Sequence, residues 1–87
     1  MRIWARTFKN NRTQQELVVE NYEEDTRTHK VFDAIDKVSY AFDISKPIWL
    51  DLNINDFKKY SKAKFRQDSF IDEIDFDYLE IQVIEED

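Results

Sequence analysis

The sequence predicts an α+β domain of hairpin, helix, strand, irregular segment and last strand, with a mixed sheet and one main helix. Three patterns carry that expectation. Residues 2–9 alternate with the period of a strand, and residues 78–84 do so again. Between them Val31, Ile35, Val38 and Phe42 fall at i, i+4, i+7 and i+11, one face of a helix. At 87 residues the chain reads as a single domain, 1–87. A chain of this length buries only about 60% of its unfolded surface, so a thin core is expected.

In the first strand Ile3, Ala5 and Thr7 point one way and Trp4, Arg6 and Phe8 the other. Asn10-Asn11-Arg12-Thr13 is a hairpin turn, because asparagine tolerates the left-handed region best after glycine. The return strand occupies 15–21 around Leu17-Val18-Val19. Thr26 or Thr28 caps the helix, with Glu23, Glu24 and Asp25 favouring its positive end. Pro47 stops it. Ile48, Leu50 and Leu52 alternate with Trp49, Asp51 and Asn53, which predicts a third strand. Beyond it, Asn53 or Asn55 caps a short helical turn carrying Phe57 and Tyr60. Lys64-Phe65-Arg66 reads as a short strand and Asp68–Ile71 as a single turn. Leu79, Ile81 and Val83 alternate with Tyr78, Glu80, Gln82 and Ile84 in the last strand.

That order resembles the β-grasp plan, in which the first and last strands lie parallel at the sheet centre. Met1-x-Ile3-x-x-x-Thr7, a turn around Ser69 and Leu79-x-Ile81-x-Val83 resemble the ubiquitin-like family. The tail departs from that family: it ends Ile84-Glu85-Glu86-Asp87, without the terminal Gly-Gly a covalent modifier needs. Ile3-Trp4-Ala5-Arg6, Pro47-Ile48-Trp49-Leu50 and Asp75–Ile81 also resemble a group of short uncharacterised proteins of clostridia-like Gram-positive bacteria. This implies a bacterial cytosolic origin and nothing chemical.

Composition bounds the chemistry. The chain has no cysteine and no glycine, and one proline. Average usage would supply about six glycines. Phosphate-cradling loops, which need glycine for close backbone approach, are therefore excluded, and left-handed turns fall to Asn and Asp. A chain held by packing alone suits a reducing, cytoplasmic compartment. No apolar run follows Met1–Arg6, so no signal peptide is expected, and no stretch approaches the length of a membrane helix. His29, the single histidine, reads as an exposed residue at the helix start, and none of the four serines sits in a nucleophile elbow. Zinc lacks ligands, and the Asp72–Asp77 cluster lacks the glycine of an EF-hand. No enzyme activity, metal or cofactor is expected.

Charge is uneven. Residues 1–66 carry a net +3 and residues 67–87 a net −9, which make the −6 of the whole chain. An acidic total argues against nucleic acid as a partner. Lys58, Lys59, Lys62, Lys64 and Arg66 are interleaved with Phe57, Tyr60 and Phe65, which read as anchors beneath a solvated basic surface. Asp72, Glu73, Asp75 and Asp77 offer an acidic face to a basic partner.

The two sheet faces carry the functional expectation. Ile3, Ala5, Leu17, Val19, Ile48, Leu50, Leu52, Leu79, Ile81 and Val83 belong under the helix. The other face then holds Trp4, Arg6, Phe8, Val18, Trp49, Tyr78, Glu80, Gln82 and Ile84, with Arg6 and Glu80 placed to pair across strands. Solvent faces of sheets are ordinarily polar. An aromatic one is covered by residues 53–75, or docks a protein partner or second copy through Trp4, Arg6, Phe8, Trp49 and Tyr78, or takes a small apolar ligand.

Overall fold

The computed structural model describes residues 1–86; Asp87, the last acid of the tail, lies outside them. The chain folds as an α+β domain with strands β1 (Arg2–Lys9) and β2 (Arg12–Glu20) and helices α1 (Arg27–Phe42) and α2 (Asp51–Tyr60). Strands β3 (Lys62–Phe65) and β4 (Tyr78–Glu85) follow, joined through a 3-10 turn at Gln67–Ser69. The sheet order is β2-β1-β4-β3, and every pair is antiparallel.

The hairpin turns on Asn10 and Asn11, both at positive φ (53° and 64°), the twist a two-residue hairpin loop favours. The register shifts between Thr7 and Phe8, which leaves Gln14 unpaired. Asp43 and Ser61 supply the two other left-handed positions, ending α1 and α2. Asparagine and aspartate were expected in this role; Ser61 was not.

Thr26 is the α1 cap: its hydroxyl accepts from the His29 N–H at 3.1 Å. The expected stripe of Val31, Ile35 and Val38 is buried, with Phe42 packed at its margin. Helix α1 packs on β1 and β2, and α2 packs beside β3. One core joins Ile3, Ala5, Leu79 and Ile81 to Val38, Phe57 and Phe65.

Two expectations are corrected. First, 48–52 is not a strand. Residues 44–50 carry no regular structure, Leu50 is extended, and α2 begins at Asp51. Five alternating residues do not separate a strand from a lead-in to a helix. The inward positions are also reversed: Asn53 and Phe57, four apart on α2, are buried, while Ile48, Leu50 and Leu52 are exposed. Second, the first and last strands are antiparallel, with Ile3 opposite Val83 and Ala5 opposite Ile81. The β-grasp pairing requires them parallel and the sheet mixed. With α2 inserted, β3 runs in the same direction as β1. The chain then turns back through 66–77, so β4 enters between them opposed to both.

Candidate interaction surface

Both helices lie on one side of the sheet, and the opposite side is the open face. Cross-strand partners share a face in an antiparallel sheet, so the register fixes its rows. Val18, Trp4, Gln82 and Lys62 form one row, and Glu16, Arg6, Glu80 and Lys64 the next. Thr13, Phe8 and Tyr78 form a third.

Arg6 is the centre of this face. Its Nη2 donates to Glu80 Oε1 at 2.6 Å. Its guanidinium carbon lies 3.8 Å from the Trp4 ring centroid and 5.0 Å from that of Phe8. The charge therefore sits on two π faces and one carboxylate. Phe8 stacks on Tyr78 at 5.0 Å, and Lys64 and Arg66 approach the Tyr78 ring at 4.9 and 5.3 Å. The aromatic side chains are half-buried against these cations.

Trp4, Arg6, Phe8 and Tyr78 are brought together as the sequence predicts. Trp49 is not. It lies on the helix side, edge-on to Phe57 (5.5 Å), Phe65 (4.9 Å) and Phe32 (6.4 Å). Residues 53–75 do cover a tryptophan, but it is Trp49; Trp4 stays on the open face. Segment 66–77 closes one end of the core on the helix side. Phe70 and Phe76 pack edge-on, and Ser69 O accepts from the Ile48 N–H at 2.7 Å.

The expected acidic face is divided. Asp77 is tied to the hairpin, its N–H donating to Phe8 O at 2.8 Å and its Oδ2 accepting from the Asn10 N–H at 3.0 Å. Asp72, Glu73 and Asp75 remain exposed on a loop held by the Gln67 side chain, which bonds Asp72 O and the Ile74 N–H. Among the described residues, no group of three or more His, Cys, Asp or Glu could hold a metal ion. The basic stretch is divided too. Phe57 and Phe65 are buried anchors, Tyr60 is exposed, Lys58 and Lys59 lie on α2, and Lys62 and Lys64 lie on the open face.

His29 is exposed at the start of α1, and its Nδ1 is 2.9 Å from Asp25 Oδ1. The Asp25 carboxyl is held below the usual carboxylate range. The hydrogen bond with the His29 ring is the main cause and the Thr26 N–H, at 2.7 Å, the second.

Sequence reasoning missed a groove of about 340 Å³ between α1 and α2, lined by Thr28, Val31, Phe32, Trp49, Ile54 and Phe57 with Arg27 and Lys58 at its rim. Its signal was the i,i+4 pair Asn53 and Phe57, which the strand reading of 48–52 masked. Among the described residues no helix is long and apolar enough to cross a membrane. Comparison with family models, with curated proteins and with solved structures finds no match.

Proposed function

We propose that this chain is a non-catalytic protein-interaction module that self-associates, the open face of one copy stacking on the same face of a second. The row Glu16–Arg6–Glu80–Lys64 carries the reading. Its charges run minus, plus, minus, plus from β2 to β3. A two-fold axis parallel to the strands, between β1 and β4, sets β2 of one copy over β3 of the other. Every member of the row then faces an opposite charge: Glu16 meets Lys64 and Arg6 meets Glu80. The same operation sets Phe8 over Tyr78 and Trp4 over Gln82. The central charges already have partners within the monomer, so closing the face strands no unpaired ion.

The size of the face sets the strength. Four strands about 4.8 Å apart and seven residues at about 3.3 Å give a footprint of about 440 Å² per copy. Two such footprints come close to the lower bound of about 1,000 Å² for a specific interface. A weak dimer, formed at micromolar concentrations and above, is expected.

Charge swapping tests this, read by sedimentation equilibrium. Glu16→Lys alone sets two positive charges face to face across the interface and should abolish the dimer. Lys64→Glu alone does the same with two negative charges. Mixing the two variants should restore association, as a heterodimer. The wild-type chain staying monomeric at millimolar concentration sinks the proposal, as does a mixture that fails to pair.

A further inference from the structure

The second surface is the groove between α1 and α2, on the side of the sheet away from the open face. Its floor is apolar, with Trp49 edge-on to Phe57. Its walls stay open to solvent: Phe32 is 49% exposed and Ile54 37%. Single exposed apolar residues are ordinary, but exposed apolar side chains gathered in a preformed groove mark a docking site.

The rim decides the charge of the occupant. Arg27 and Lys58 border the groove. Arg27 already shows its preference. It lies over the Phe57 ring at 4.9 Å, and its Nε and Nη2 donate to the two carboxylate oxygens of Glu86 at 3.0 and 3.4 Å. That forked contact is how guanidinium recognises carboxylate. The net charge of −6 opposes an acidic partner at long range, but physiological salt screens it beyond about 8 Å, so the rim governs close approach.

Openness decides the class of occupant. A small molecule is ordinarily buried over about 70–90% of its surface, and a groove with half-exposed walls encloses far less. An amphipathic helix inserts only its anchor side chains and keeps its far side in water. We propose that the α1–α2 groove docks an acidic amphipathic helical segment of a partner protein. Two apolar side chains three or four residues apart fill the groove over Trp49, and an adjacent Asp or Glu takes Lys58, since Arg27 is held by Glu86. This surface is independent of the self-association proposed above.

The probe is a random twelve-residue peptide library displayed on phage and selected on the immobilised full chain. Selected peptides should combine apolar residues at i and i+3 or i+4 with neighbouring Asp or Glu. As synthetic peptides they should shift the Trp49 indole resonance and leave that of Trp4 in place. Phe32→Ala and Lys58→Glu alter exposed side chains; each should weaken binding tenfold or more while the amide spectrum stays folded. Sedimentation of both variants should still show self-association if the open-face dimer exists, which separates failure of this proposal from failure of that one. Selection of basic peptides, binding indifferent to both variants, or no enrichment overturns the proposal. So does dodecanoate occupying the groove when no peptide does.

Discussion

Arg6 and Glu80 meet at the middle of the open sheet face, 2.6 Å apart, their side chains only 20% and 9% exposed. The register makes them direct cross-strand partners on β1 and β4. Removing one partner from a pair this shielded leaves a charge without compensation, which costs about 3 kcal/mol. Arg6→Ala should therefore destabilise strongly, and it also uncovers the Trp4 ring. Replacing both partners together, Arg6→Met with Glu80→Leu, should recover much of the loss. Urea unfolding of the two single variants and the double variant checks this. Additive losses would show that the two side chains act independently.

The two tryptophans divide between two jobs. Trp49 is half-buried like Trp4, but it is packed among three phenylalanine rings on the helix side, so Trp49→Ala should cost about 3 kcal/mol, the lower end for aromatic truncation in a core. Trp4 is half-buried beneath Arg6. Trp4→Ala should cost less than half as much and should weaken self-association. Denaturant midpoints set beside sedimentation data separate the two effects. Equal destabilisation by both substitutions would make Trp4 an ordinary core residue.

This division marks where the sequence was legible. β1, α1 and β4 were readable because each repeats its period over seven residues or more, and because the inward positions Ile3, Ala5, Leu79 and Ile81 are buried. Those elements placed Trp4, Arg6, Phe8, Tyr78 and Glu80 on one face; the direct Arg6–Glu80 register follows from the antiparallel pairing, where a parallel one was expected. The stretch 48–60 was not readable in the same way. Ile48, Leu50 and Leu52 imitate a strand, but they are the exposed residues; the burial belongs to Asn53 and Phe57. A buried asparagine is invisible to a hydrophobic pattern. The helix–helix groove follows from α2, so it was lost with it.

The pH response has a defined sign. Asp25 is held below the usual carboxylate range, so its charged form is favoured in the folded chain. The resulting stability is fully present above the unfolded carboxylate value and is lost as pH falls through the lowered folded value. His29→Ala removes the larger cause and leaves the Thr26 N–H. The Asp25 titration midpoint, followed by carboxyl-carbon NMR, should rise toward the ordinary value but stop short of it. An unchanged midpoint would dismiss the ring contact.

The hairpin offers a stabilising change. Asn10 and Asn11 both hold positive φ without the help of a glycine, and Asn-Gly is the favoured pair for such a turn. Asn11→Gly relieves the left-handed strain at one of the two positions, partly offset by the freer unfolded chain, and should add about 0.5 kcal/mol. For a domain of this size that is about 2–4 °C in Tm. Asn11→Val, β-branched at the same φ, should lower Tm instead. Two thermal scans decide it, and movement in the same direction would mean that the turn does not limit stability.

Asn53 makes three hydrogen bonds from within the core. Its Oδ1 accepts from the Leu50 N–H at 3.0 Å, which caps the start of α2, and from Ser69 Oγ at 3.4 Å. Its Nδ2 donates to Lys64 O at 2.8 Å, which ties α2 to β3. One amide thus joins helix, edge strand and 3-10 turn where the hydrophobic pattern is thinnest. Asn53→Ala forfeits all three contacts and leaves the part-buried Leu50 N–H and Lys64 C=O without this partner, so a loss of about 2 kcal/mol is expected. Asn53→Asp keeps the acceptor but turns the donor into a second acceptor facing a carbonyl, so it should destabilise at least as much at neutral pH. The distinguishing measurement is a comparison of the two variants at neutral pH and at a pH below the ordinary carboxylate range. Protonation restores a donor to the aspartate alone, so the gap between it and the alanine variant should shift in its favour on acidification. A gap that does not change with pH would mean that the Lys64 carbonyl contact contributes little, and that β3 is held by Phe65 and Ala63 packing against β4.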